Sequence, residues 1–266
     1  MQHPVLSFYN LGIAPKLLNI LEQLKFASPT PIQHKAIPVA LEGQDIVGVA
    51  QTGTGKTLAF GIPMVQRLAS EGGRALVIVP TRELALQVGE VMRTILTPFG
   101  FQGAILIGGA PIFRQIQALR KHPNVLVATP GRLVDHLERK TVNLKDVRIL
   151  VLDEADRMFD MGFAPQIKRI LHHVPRDRQT MLFSATMPPD IIGLATKQMK
   201  LPIHVEIAPQ GTAAADVNQE LFIVKEESKK SLLRLLLKQY RGSILLFTRT
   251  KIKARKITKV DRKSVV

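Results

Sequence analysis

The segment VGVAQTGTGKTLAF, Val47 to Phe60, decides how the rest of the chain is read. An apolar run ends at Ala50, glycines follow at 53 and 55, and Lys56 and Thr57 open a stretch of helical period. Glycines let a backbone turn tightly and aim its N–H groups at phosphates. The lysine can reach the β- and γ-phosphates, and the threonine hydroxyl can ligate Mg²⁺. A helix starting there adds its positive end. The spacing is that of a phosphate-binding loop except that Ala50 stands where a first glycine is expected; that position only starts the turn. The candidate nucleotide-binding set is therefore Ala50, Gln51, Thr52, Gly53, Thr54, Gly55, Lys56 and Thr57. An ordinary glycine-rich turn is the alternative.

Outward from this loop, short β-branched runs alternate with segments of helical period. DIVGVA, ALVIVP, GAILIG, NVLVAT, RILVLD and QTMLFSA read as strands; RELALQVGEVMRTIL and PGRLVDHLERK read as amphipathic helices. The strand candidates are apolar throughout rather than alternating, as expected when helices cover both faces of a parallel sheet. A doubly wound α/β domain over about 37–207 follows. IAPQGTAAADVNQ then breaks the rhythm, which predicts a linker at 208–217. ELFIVK, ESKKSLLRLLLKQY and SILLFT predict that strand–helix–strand alternation restarts over 218–260.

The 266 residues carry a formal charge of +16, which suits a polyanionic partner, nucleic acid first. Much of it is local, because fourteen Lys/Arg against three Asp/Glu lie from Lys225 onward. The absence of cysteine excludes disulfides and thiolate metal sites. No signal peptide and no apolar run of membrane-spanning length is evident, so a cytoplasmic location without membrane contact is expected. His122, His172 and His173 lack metal-ligand spacing and are expected on the surface. Met158, Met161, Met181 and Met187 are expected to pack.

A phosphate loop needs an acidic partner at the end of another buried strand. RILVLDEAD supplies it: Asp153 can hold Mg²⁺, in part through water, and Glu154 can polarise a water in line with the γ-phosphate. An acidic first helical turn is the bland reading. Asp153-Glu154-Ala155-Asp156 resembles the signature of the DEAD-box ATP-dependent RNA helicases, bacterial type, and the likeness runs over about 6–255.

The resemblance implies a RecA-like domain with ATP and Mg²⁺ as cofactors, Lys56, Asp153 and Glu154 as catalytic residues, and an N-terminal segment, 1–36, carrying the family's Q motif at about 6–34. FASPTPIQ is similar to that motif: Phe26 would stack on adenine, Gln33 would bond its edge, and Phe8 would be the upstream aromatic. The family commonly has glycine where Lys25 stands. Ser184, Ala185 and Thr186 resemble the motif that couples the γ-phosphate site to domain closure, although Ser/Thr there also reads as a helix cap. Pro80, Thr81 and Arg82, Gly108 and Gly109, and Thr129, Pro130, Gly131 and Arg132 resemble the family's RNA contacts. Arginine forks, hydroxyls and exposed main-chain N–H groups suit phosphates rather than bases. Each segment alone also reads as a helix cap with solvated arginines.

SILLFTRTK resembles the first motif of the family's second RecA-like domain, and no later motif is present. The expectation is a truncated second domain over 218–260, a non-native tail at 261–266, and weak activity of this polypeptide by itself. A non-catalytic RNA-binding fragment and a P-loop motor acting on DNA are the alternatives.

Overall fold

The computed structural model describes residues 6–207, 220–240 and 242–261, apart from the side chains of 251 and 258–261. They fall into two compact units, Met1–Thr212 and Ala213–Val266.

The first unit begins with a 3₁₀ turn, Phe8–Leu11, and two helices, α1 (Pro15–Gln23) and α2 (Pro31–Leu41). Strands and helices then alternate: β1 (Ile46–Val49), α3 (Lys56–Glu71), β2 (Arg74–Ile78), α4 (Arg82–Leu96), β3 (Gly103–Leu106) and α5 (Ile112–Leu119). The alternation continues through β4 (Val125–Ala128), α6 (Pro130–Glu138), β5 (Val147–Leu152), α7 (Ala155–Asp160), α8 (Ala164–His173), β6 (Gln179–Ser184), α9 (Pro189–Gln198) and β7 (Ile203–Glu206). The six expected strands are all present and parallel, and β7 is a seventh that was not expected.

The sheet order is β3-β4-β2-β5-β6-β1-β7. Side chains alternate across a strand, and here both faces are dry. Ile46, Val77, Val151 and Phe183 join one core with α1 to α4, while Val47, Leu76, Leu150 and Leu182 join a second with α6 to α9. Met158 and Met181 are fully buried, whereas Met161 is exposed; His122, His172 and His173 all lie on the surface.

Gly48 shows how tightly the layers close. It pairs with Phe183 on β6, and a Cβ at Gly48 would lie 2.5 Å from the Phe183 ring. Gly48→Ala is expected to lower stability by about 1–3 kcal/mol through overpacking. Urea denaturation reads this directly, and an unshifted midpoint would mean that the ring yields freely.

The strand ladders run one residue past the strand ends, into the loops. The N–H of Ala50 donates to the Ser184 carbonyl, Val79 to Ala128, Thr129 to Leu106 and Asp153 to Ile78, each at 3.0 Å. The first loop residue after each of these strands is thus fixed by the neighbouring strand. Among the described residues, no helix is long and apolar enough to cross a membrane.

The described residues of the second unit form a 3₁₀ turn (Glu226–Ser228) and two helices, α10 (Lys229–Gln239) and α11 (Lys251–Asp261). Glu226 pairs with Lys229 and Lys253, and these ammonium groups pull its carboxyl down to about 2. The strands expected at 220–225 and 243–248 are not formed. Leu221, Ile223, Leu245 and Phe247 are more than three-quarters exposed, and a strand without a paired neighbour leaves its backbone groups unsatisfied. Asp261, expected to open a non-native tail, is the last residue of α11. The expected linker at 208–217 and the remainder of the tail, 262–266, lie outside the described residues.

Candidate nucleotide site and nucleic-acid face

Sheet order sorts the candidate residues into two groups. Strands β5, β6 and β1 are consecutive neighbours, and their carboxyl ends carry Asp153 and Glu154, Ser184 to Thr186, and Ala50 to Gly55. The other three neighbours, β3, β4 and β2, carry Gly108 and Gly109, Thr129 to Arg132, and Pro80 to Arg82. Open parallel sheets bind ligands at this end.

In the first group the loop leads into α3 through Gly55, which adopts the left-handed conformation at φ 92°. A Cβ there would lie 2.5 Å from the Gln33 Nε2 and 3.0 Å from the Thr30 Oγ1, so glycine is required by closeness as well as by backbone angle. Gln33 donates from Nε2 to the Gly55 carbonyl at 3.0 Å and accepts from the Thr30 N–H at 3.0 Å. One hydrogen and one lone pair of the amide remain for an edge-on partner. Thr54 closes the loop on itself by donating to the Gln51 carbonyl at 2.7 Å, while Gln51, Thr52 and Gly53 are exposed. Thr57, the second residue of α3, is half-buried.

Lys56 is only 6% exposed, and its ammonium donates to the Ala50 carbonyl at 3.0 Å, 4.0 Å from Asp153. Burial pushes the Asp153 carboxyl up to about 6, with Glu154 adding to the rise and Lys56 opposing it. Glu154 has φ 53° and ψ 50°, a left-handed conformation unfavourable for a residue with a side chain by about 1–2 kcal/mol. Its backbone N–H donates to Asp153 at 3.0 Å, and its carboxylate accepts from Arg157 at 3.2 Å.

Asp156 reaches across to the end of β6. It accepts from the Thr186 N–H and hydroxyl, both at 2.9 Å, while its own N–H donates to the Ser184 hydroxyl at 3.1 Å. Burial raises this carboxyl, but the Thr186 and Ser184 hydrogen bonds outweigh it and hold it below the usual range. The Ser/Thr pair therefore serves the acidic turn, and no cap bond from it to α9 is formed.

In the segment before Gln33, Phe26 is 44% exposed, which excludes a core role, and borders a cavity of about 400 Å³ shared with Phe8, Tyr9, Leu18 and Lys25. Phe8 itself is buried in the core. Lys25 takes φ 60°, the left-handed angle that glycine adopts freely, so the chain keeps the backbone shape without the glycine.

In the second group Arg82 lies over the paired glycines. A methyl at Gly109, whose φ is 76°, would collide with its guanidinium, and a Cβ at Gly108 would lie 3.5 Å away. Arg132 donates to the Ala110 carbonyl at 3.0 Å and sits 3.7 Å from Asp135. Thr81 accepts from the Leu84 N–H at 3.2 Å, the helix-cap role that its sequence also allowed. Thr129 and Pro130 are buried, and Gly131 is exposed at the start of α6.

Sequence reasoning missed Arg157, Gln115 and His136, which hold neighbouring groups in place. None belongs to a motif, and a buried histidine on an amphipathic helix gives no local signal.

A parallel sheet with a glycine-rich loop after β1 and an acidic turn after β5 defines a RecA-like P-loop domain. The profile of the DEAD/DEAH box helicase family matches residues 30–193, and the chain belongs to that family. It is 44% identical over 248 residues to the ATP-dependent rRNA helicase RRP3 of Debaryomyces hansenii, covering 92% of this chain and 52% of that protein. It is equally identical, over the same length, to the DEAD-box ATP-dependent RNA helicase CshA of Geobacillus kaustophilus, 53% of which is covered. The crystal structure of a DEAD box protein from the hyperthermophile Methanococcus jannaschii matches with a TM-score of 0.72 at 36% identity, covering 97% of this chain and 70% of that one. The chain thus spans about half the length of the curated relatives it matches.

Proposed function

We propose that this chain is the ATP-binding part of an ATP-dependent RNA helicase that holds single-stranded RNA by its backbone and couples ATP hydrolysis to local unwinding. The observation that carries the reading is the sheet order. It gathers the three nucleotide-motif segments on β5, β6 and β1 and the three RNA-motif segments on the adjoining β3, β4 and β2, with β7 carrying neither.

In this reading the loop N–H groups and Lys56 bind the phosphates, and Phe26 and Gln33 contact the base. One buried carboxylate with a neighbouring hydroxyl suits a magnesium ion that keeps several waters. Asp153 is such a carboxylate, 3% exposed and accepting from the Glu154 N–H. Thr57 and Asp153 would hold Mg²⁺, which neutralises charge on the phosphates. Glu154 orients the attacking water and takes its proton. The Asp156–Thr186 bonds link that turn to the end of β6, so a shift at the phosphates is felt there. Arg82, Arg132 and the Gly108–Gly109 N–H groups meet phosphates and sugars, which gives little base preference.

Glu154→Gln tests this in the full-length parent. Turnover with RNA present is expected to fall by about 10²–10⁴-fold, while RNA binding with ATP is retained or strengthened. DNA of the same length should stimulate the parent poorly. Turnover unchanged by the substitution would sink the catalytic assignment, and equal stimulation by DNA would favour a DNA motor.

A further inference from the structure

We propose that His136 and Gln115 are a buried positioning pair that fixes the Gly108–Gly109 turn to α6, so that the two glycines and the Thr129–Arg132 segment present one continuous surface. The inference rests on reading those segments as RNA contacts, and concerns residues that touch no ligand themselves.

The turn is tied to α6 at both ends, once directly and once through Gln115 on α5. After the glycines, the Ala110 carbonyl accepts directly from Arg132 on α6. Before them, the Ile107 carbonyl accepts from the Gln115 Nε2 at 2.9 Å. Because that end of the amide is the donor, its Oε1 is an acceptor, and it lies 3.1 Å from the His136 Nε2. The hydrogen of the imidazole is therefore on Nε2. Nδ1 is left as the acceptor and takes the one hydrogen of the Thr141 hydroxyl at 2.8 Å, in preference to the His136 carbonyl 3.2 Å away. Burial, reinforced by nearby Arg132, holds the imidazole below its usual range and so keeps it neutral.

His136 is completely buried and Gln115 is 5% exposed. Two polar side chains in an apolar layer are costly unless every bond is made. Here one side of the imidazole is held by Thr141 and the other leads through Gln115 to the turn. Ile107 and Ala110 flank two glycines, one of them at positive φ, which give the backbone latitude rather than stiffness. The two ties from α6 supply the constraint that the glycines lack.

The test uses the whole 266-residue chain, a labelled oligouridylate and a fluorescent ATP analogue. His136→Leu leaves the Gln115 oxygen buried and unpaired and should weaken RNA binding about tenfold, with nucleotide affinity unchanged within about twofold. His136→Gln carries an N–H to the place of Nε2 and should restore RNA affinity to within about threefold. The amide resonances of Gly108 and Gly109 should shift in the leucine variant and return in the glutamine variant, which a general loss of packing would not produce. Gln115→Met cuts the same link with an unbranched side chain and should repeat the His136→Leu result if that variant fails to fold. RNA affinity and glycine resonances unmoved by either His136→Leu or Gln115→Met would overturn the pairing. A parent chain that binds no oligouridylate would instead overturn the RNA reading, and the glycine resonances would still decide whether the pair positions the turn.

Discussion

Lys56→Ala is expected to weaken Mg-ATP binding by about 10²–10³-fold. Its ammonium is nearly excluded from water and lies between the Ala50 carbonyl and the Asp153 carboxylate. A carbonyl is a poor counter-charge, so a phosphate arriving in the loop meets a cation already stripped of most of its hydration. Losing a desolvated charge contact to a bound partner costs about 2–5 kcal/mol of binding, from which the loss of affinity follows. The same substitution removes the cation opposing the rise of Asp153, so that carboxyl should move further up. Titration of the chain with a fluorescent ATP analogue measures the affinity. A loss of less than about threefold would mean that the phosphates lie elsewhere.

Asp153→Asn is expected to raise stability near neutral pH. The carboxyl titrates near 6 in the folded chain against 3.8 ordinarily, chiefly because it is buried. Between about pH 4 and 6 the folded state therefore keeps a proton that the unfolded chain has lost. Stability falls as pH rises through that window, and above it the penalty is complete. Asparagine has no such charge to bury, so the variant should be more stable than the parent at pH 7 by roughly 2–3 kcal/mol and about equal to it at pH 4. Magnesium should no longer strengthen nucleotide binding, the usual trade between a strained site and its function. Urea denaturation at the two pH values checks the first part, and an asparagine variant less stable at pH 7 would refute it.

How much of this was legible in the sequence depends on how local each feature is. Six strands were visible because a strand dry on both faces is an unbroken apolar run, as in Ile149–Leu152. β7 was not, because only Val205 of its four residues is buried, whereas β3 at the opposite edge still reads as the apolar run GAILIG. The phosphate loop and the acidic turn were readable because their chemistry sits in a few adjacent residues. The contacts of Gln33 with Gly55 and of Asp156 with Thr186 were not, since they depend on which strand ends lie side by side. Nor does any residue preference announce that Glu154 is left-handed; the surrounding contacts impose it. ELFIVK and SILLFT mark the converse limit, for an apolar run becomes a strand only beside another.

The order of the strands has a consequence for how such a protein can diversify. With one ligand assigned to β5-β6-β1 and the other to β3-β4-β2, loop changes that retune the grip on nucleic acid leave the fuel site as it was. The exception is the border between β2 and β5, where the Asp153 N–H is bonded to the Ile78 carbonyl. Ile78 lies two residues before Pro80, so this single bond joins the start of one set of loops to the acidic end of the other. Because both partners are backbone groups, side chains on either side can change while the bond persists, and only a proline at 153 would remove its donor.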